Sequence, residues 1–406
     1  MVRRREFLGA ASMGVVGAWG WARVGSGQEP EKRKKAEAPV MRKALKPVPP
    51  ALPTPLPKAD ERINRGLAEI RDRHKLPGII GAVLQGESLT AIGAVGVRRL
   101  GSDEPIQPTD LVHLGSDTKA MTATLLGMLV EKDLLSWSNT ILDVFPARAK
   151  GLHRDFQKVT LAQLLNHRAG LPANGPWWEL QGRSTTEKRR DLLDRMMKDA
   201  PLSKPGSTFL YSNVGYALAG LMAEQVTGSP WEGLIRERLF VPLGMTTAGF
   251  GPPGTPGKLD QPWGHDDKGE PRQGDNAAAL GPAGTVHCSV SDWAKFAALH
   301  LRGEGGKGKP RLLKASTFRT LHTPPGGGDY AGGWIVVDRP WAGGRALTHS
   351  GSNTMWYCTV WLAPARDFGV LVVTNQGGET ASKASDEACS GLIRTAAGMA
   401  RRPSRG

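Results

Sequence analysis

The first folded stretch shows apolar residues at helical spacing. Ile63, Leu67 and Ile70 follow Asp60, a good N-cap, and predict a helix to about residue 74, before Pro77 interrupts it. The pattern then changes. Residues 79–84 and 89–97 are mostly apolar, part at a polar turn, Gln85-Gly86-Glu87, and read as two strands. Helical patterns follow at 120–130, at 161–165 behind Thr160, at 191–197 behind Thr186, at 213–226 ending at Gly228, and at 231–239 before Pro242. Ser289 opens a further helix to about residue 301. Strand-like runs return at 333–337, 346–349, 357–362 and 370–374, and a last helix spans 381–397. Strands at both ends with helices between them predict an α+β fold. One antiparallel sheet is built from both chain ends, helices flank it, and a mainly helical region is inserted.

Composition places the chain in a class without fixing a function. The 406 residues, 39% hydrophobic and 22% charged, suit a globular protein of one or two domains. Net charge is +15, and residues 1–60 hold twelve Lys or Arg against five Asp or Glu. No zinc finger or aromatic-basic RNA motif accompanies that charge, so a nucleic-acid partner is not expected. A basic surface suits acidic cell-wall polymers, which makes peptidoglycan a candidate partner.

Arg3-Arg4-Arg5-Glu6-Phe7-Leu8 matches the twin-arginine export pattern, and a weakly apolar run, 9–22, follows it. That run is too short and glycine-rich for a stable membrane span. The expected organisation is an export signal over 1–24 and a Pro- and Lys-rich linker over 25–59. A folded domain over 60–399 and a basic tail over 400–406 follow, with a periplasmic or extracellular destination. Cys288, Cys358 and Cys389 have no Cys-x-x-Cys spacing, so buried free thiols are expected rather than a zinc or redox site. No metal and no cofactor are expected.

Three short motifs carry chemistry. Ser116 and Lys119 are three apart at the start of a helix, which puts both side chains on one face. A lysine amine kept neutral can take the proton of a serine hydroxyl. Such a triplet arises by chance on the order of once in a chain this long. This is the chain's sole Ser-x-x-Lys, however, and two further motifs follow in a fitting order. Tyr211-Ser212-Asn213 opens the helix at 213. A nearby lysine cation would ease ionisation of Tyr211, making it an acid or base, while Asn213 can hold a substrate amide. His349-Ser350-Gly351, followed by Ser352, ends a strand-like run. Gly351 allows close approach, and the N–H groups of Ser352 and Ser116 can form an oxyanion hole. His349 would add a positive or hydrogen-bonding group near the tyrosine and lysine.

In this order the three motifs resemble the serine β-lactamase and penicillin-recognising D-alanyl-D-alanine carboxypeptidase superfamily. Tyr-x-Asn resembles its class C-like branch. The resemblance extends over roughly 61–398. It includes Leu164-Leu165-Asn166-His167-Arg168-Ala169-Gly170-Leu171-Pro172, Pro242-Leu243-Gly244-Met245, and Pro282-Ala283-Gly284 before Ser289. It implies the β-lactamase/transpeptidase-like fold and a small-molecule or short-peptide substrate. Ser116 would be acylated, Lys119 would help remove its proton and Tyr211 would be the acid/base. Asn213, His349, Ser350, Gly351 and Ser352 would border the substrate.

Two departures bear on the substrate. The third motif has histidine where dedicated class C β-lactamases carry lysine, and Ala162 stands where class A enzymes place a deacylating glutamate. The pattern is closer to the carboxypeptidase and esterase members. The expected function is an exported serine hydrolase acting on D-Ala-D-Ala-type peptides, short esters or β-lactams. The alternative is a catalytically weak penicillin- or cell-wall-binding module on the same fold. An α/β-hydrolase is excluded by the lack of a Gly-x-Ser-x-Gly elbow.

Overall fold

The structure is a computed structural model and describes residues 57–305 and 312–400. The twin-arginine pattern, nearly all of the expected linker, and the tail beyond residue 400 lie outside the described residues.

A seven-stranded antiparallel sheet organises the fold. From edge to edge its strands are Ser88–Gly96, Gly78–Gln85, Phe368–Thr374, Tyr357–Ala363, Gly344–Ser352, Trp334–Arg339 and Tyr330–Ala331. The N- and C-terminal parts of the chain meet at its centre, where Ile79 pairs with Thr374 and Val83 with Val370. The expected sheet built from both chain ends is the one observed. Both faces are covered, which is why these strands read as apolar runs without alternation. Ile79, Val83, Val370 and Val372 turn to one face, beneath Glu61–His74 and the helix Gly378–Ala400. Ile80, Ala82, Leu84, Leu371 and Val373 turn to the other, in the larger core with Trp293 and Phe296 of Val290–Arg302.

The helices follow their local signals. Asp60 caps Glu61–His74 by accepting from the Arg62 N–H, and Lys75 closes it in the left-handed region at φ 53°. Helix Thr118–Glu131 is buried nearly all round, as is Asn213–Thr227, so neither needs an amphipathic stripe. Helix Thr185–Met196 begins six residues before the sequence pattern places it. Ser184 and Glu187 form a capping box there, and that local pair outweighs the later apolar spacing. The expected single helix at 231–239 is Trp231–Ile235 followed by a π-helical turn, Arg236–Phe240. All three cysteines are buried and free.

One buried ion pair ties the helical region together. Arg189, fully buried, donates to Glu224 and to Glu232, and Glu224 also accepts from the Trp231 N–H. Removing one partner strands a buried charge, which costs about 3–5 kcal/mol. Glu224→Ala is therefore expected to lower unfolding stability by about 3 kcal/mol in guanidinium titration. Removing the exposed Glu379–Lys383 pair by Glu379→Ala is expected to leave the midpoint unmoved.

Candidate active site

The serine turn is built where three elements converge. The strand Leu111–His113 leads into a 3₁₀ turn, Gly115–Asp117, which runs directly into helix Thr118–Glu131. Gly115 sits at φ 47°, and a Cβ there would lie 2.3 Å from Ser352 N. From the opposite side, a Cβ on Gly351 would lie 2.0 Å from Leu114 O and 2.9 Å from Ser116 N. The two backbones touch, and only glycines permit that approach.

Ser116 Oγ is the meeting point of two polar groups. Lys119 Nζ lies 3.0 Å away and the Tyr211 hydroxyl 2.8 Å away. Lys119 also donates to Asn213 Oδ1 at 2.7 Å and to Ala283 O at 2.8 Å. Both of those are oxygens that only accept, so they take two N–H groups. A neutral amine then turns its lone pair to the serine. The serine O–H donates to Lys119, and Tyr211 donates to Ser116.

Electrostatics favour that arrangement. Lys119 is fully buried, and desolvation pulls its pKa well below that of an ordinary lysine, against the pull of Asp117. Desolvation pushes the Tyr211 phenol above the usual tyrosine range, with the Ser116 hydrogen bond opposing it. This corrects the expectation that a lysine cation eases ionisation of Tyr211. The same dryness disfavours both charges, shifting the amine and the phenol toward their neutral forms.

The Tyr211 segment is positioned by a residue that sequence reasoning left without a role. His167, in the left-handed region at φ 56°, packs its ring against that of Tyr211, tilted by 40° with centroids 4.4 Å apart. Its Nδ1 accepts from the Ser212 N–H at 3.0 Å. Ser212 in turn caps helix Asn213–Thr227. The histidine inside Leu-Leu-x-His was the available signal. Asn213 also donates to Asn174 Oδ1 at 2.9 Å, so its amide already serves the lysine and the neighbouring loop.

The third motif divides. Gly351 and the backbone of Ser352 lie against the serine turn, as described. Ser350 does not border it: strand alternation turns its hydroxyl to Thr359, 3.0 Å away on the next strand. His349 is not presented to a substrate either. It is 4% exposed, with Nδ1 2.9 Å from Asp117 Oδ1 and Nε2 3.1 Å from the Tyr330 hydroxyl. Both ring nitrogens are used inside the protein, which corrects the expected substrate contact. Among the tryptophans, Trp356 is a core residue, whereas Trp178 is 80% exposed. Among the described residues no cluster of His, Cys, Asp and Glu could hold a metal ion. No helix among them is long and apolar enough to cross a membrane.

This fold has counterparts. The family model described as beta-lactamase matches residues 63–389, and the chain belongs to that family. Penicillin-binding protein 4 of Amycolatopsis lactamdurans is 25% identical over 326 residues, which cover 76% of this chain and 83% of that protein. The unguisins hydrolase ungD of Aspergillus violaceofuscus is 26% identical over 79% of this chain, which spans only 62% of that protein's length. The class C beta-lactamase structure from Rhodobacter sphaeroides shares the fold, with a TM-score of 0.67 at 19% identity, over 83% of this chain and 99% of that one.

The contact at Gly351 yields a prediction. Gly351→Ala must push strand Gly344–Ser352 off the serine turn, and overpacking of this kind costs about 1–3 kcal/mol. A stability loss in that range by chemical denaturation is expected. An unchanged midpoint would show that the two backbones are not in contact.

Proposed function

We propose that the protein is a serine hydrolase that acts through an acyl-enzyme on Ser116. The single observation that carries this is the placement of Ser116 Oγ within hydrogen-bonding distance of both Lys119 Nζ and the Tyr211 hydroxyl. The Lys119 lone pair takes the serine proton as Oγ bonds to the substrate carbonyl carbon. The carbonyl electron pair moves to oxygen, where the N–H groups of Ser116 and Ser352 would hold it. Tyr211, kept protonated by burial, gives its proton to the leaving group and recovers one from Lys119. Water then attacks the ester, loses its proton to the same pair, and Ser116 is restored.

Small amides and esters are the substrate class, with D-alanyl-D-alanine peptides, short esters and β-lactams as the candidates. The name of the penicillin-binding relative supports the last of these, and that of the fungal relative supports hydrolysis as the reaction. The internal use of His349 favours substrates that need no cation from the third motif. The twin-arginine pattern supports an exported enzyme, placed where peptidoglycan is within reach. A reporter fused behind residues 1–30 that stays inside the cell would remove that part of the reading.

Two measurements test the chemistry. Intact-mass analysis after incubation with a fluorescent penicillin and p-nitrophenyl acetate should show an added acyl group on the wild type and none on Ser116→Ala. No adduct on either, with bound penicillin recovered unreacted, would favour the binding module. Release of D-alanine from an acyl-D-Ala-D-Ala peptide would separate peptidase from esterase.

The pH profile follows from the burial of the pair. Acylation should slow on acidification, as pH falls through the depressed Lys119 value and the amine gains a proton. It should reach its plateau well below pH 10.5, the ordinary lysine value. Because Tyr211 is raised above 10.0, no alkaline fall is expected below that pH. A rate that climbs until pH 10.5 would mean that burial does not depress the amine.

A further inference from the structure

The residue that follows Ser116 is a buried acid whose side-chain partners lie on the sheet. Asp117 is 3% exposed. One carboxylate oxygen lies 2.9 Å from His349 Nδ1 on strand Gly344–Ser352, and the other accepts from the Cys358 thiol at 3.2 Å on the neighbouring strand. An ionised carboxylate only accepts, so His349 carries its proton on Nδ1 and its Nε2 accepts from the Tyr330 hydroxyl. Tyrosine, imidazole and carboxylate thus form one buried chain that ends beside the nucleophile, and the acylation steps above do not use it.

We propose that Asp117 is a positioning residue for acylation: it ties the serine turn to strands Gly344–Ser352 and Tyr357–Ala363 through His349 and Cys358, and its charge offsets the one Lys119 gains with the serine proton. This rests on the acylation reading of the site. When the proton leaves Ser116 Oγ for Lys119 Nζ, a buried ammonium replaces a neutral amine. The other hydrogen-bond partners of that nitrogen, Asn213 Oδ1 and Ala283 O, are uncharged. Ring faces of Tyr211 and Tyr216 lie 4.8 and 5.6 Å from it and add a weaker attraction. The remaining titratable neighbours of the pair are His167, Tyr330, His349 and Cys358. None of them carries a negative charge in its ordinary neutral form. Asp117 supplies the anion, and its field raises the proton affinity of Lys119 against the desolvation that lowers it.

The test compares wild type, Asp117→Asn and Ser116→Ala, with p-nitrophenyl acetate and a fluorescent penicillin, from about pH 5 to pH 10. Acylation is read by intact mass and folding by thermal melting. Asp117→Asn should still be acylated at Ser116, about ten-fold slower on the plateau. Its acid limb should lie about half a pH unit or more below that of the wild type, because losing a nearby negative charge makes the amine harder to protonate. Asp117→Thr, also uncharged, carries the same expectation should the amide variant not fold. A folded variant whose acid limb is unmoved, whether its plateau is slower or not, overturns the proposal and leaves Asp117 a structural residue. If the wild type gains no acyl group under any condition, the acylation reading itself fails and this proposal falls with it. Only that outcome abolishes the adduct in every protein tested.

Discussion

A lysine amine buried with no carboxylate bonded to it is the constraint on which the site depends. In water an ammonium is strongly solvated, and in this interior Lys119 has only two oxygen acceptors and one serine hydroxyl. The neutral form is the cheaper one there, and it points a lone pair at Ser116. Everything that matters locally preserves that dryness. Helices Thr118–Glu131 and Asn213–Thr227 are buried nearly all round, and Pro282 packs so closely on Gly220 that a Cβ there would lie 2.4 Å from its ring. That contact brings the Ala283 carbonyl to the amine. The same dryness holds Tyr211 in its protonated form, so base and acid are set apart by one environment acting on groups of opposite charge type.

The second constraint is mechanical. Strand Gly344–Ser352 approaches the serine turn at backbone distance, through Gly115 and Gly351, and side chains reinforce the contact. His349 and Cys358 hold Asp117 from the sheet. On the other side of the turn, Gly115 N donates to His113 Nδ1, and His113 Nε2 lies 2.8 Å from Asp275. Asp275 also accepts from Asn353, one residue beyond Ser352. Two buried carboxylate–imidazole pairs thus flank the nucleophile and fix it relative to the strand. A site that must bring an oxyanion to two backbone N–H groups needs this rigidity, because main-chain donors have no rotamers to adjust.

Much of the fold was legible in the chain because its signals are local. Asp60, Thr160 and Ser289 cap helices where side-chain chemistry says they should, and central strands covered on both faces must be continuously apolar. The gaps have equally local causes. The capping box at Ser184 moved a helix start that apolar spacing placed later. The helix read at 231–239 gives way to a π-helical turn over Arg236–Phe240.

The sequence by itself determined the family, the architecture and the residue types at Ser116, Lys119, Tyr211, Asn213 and Gly351, because motif spacing and turn chemistry are properties of neighbours along the chain. Tertiary structure decided the electrical state of those groups and the roles of their companions. Protonation is set by how much water is excluded, and exclusion depends on segments as far apart as Lys119 and Ala283. For the same reason His349 proved to be a partner of Asp117 rather than of a substrate. Which way a strand histidine's nitrogens are spent depends on what folding places opposite them, and no spacing along one chain records that.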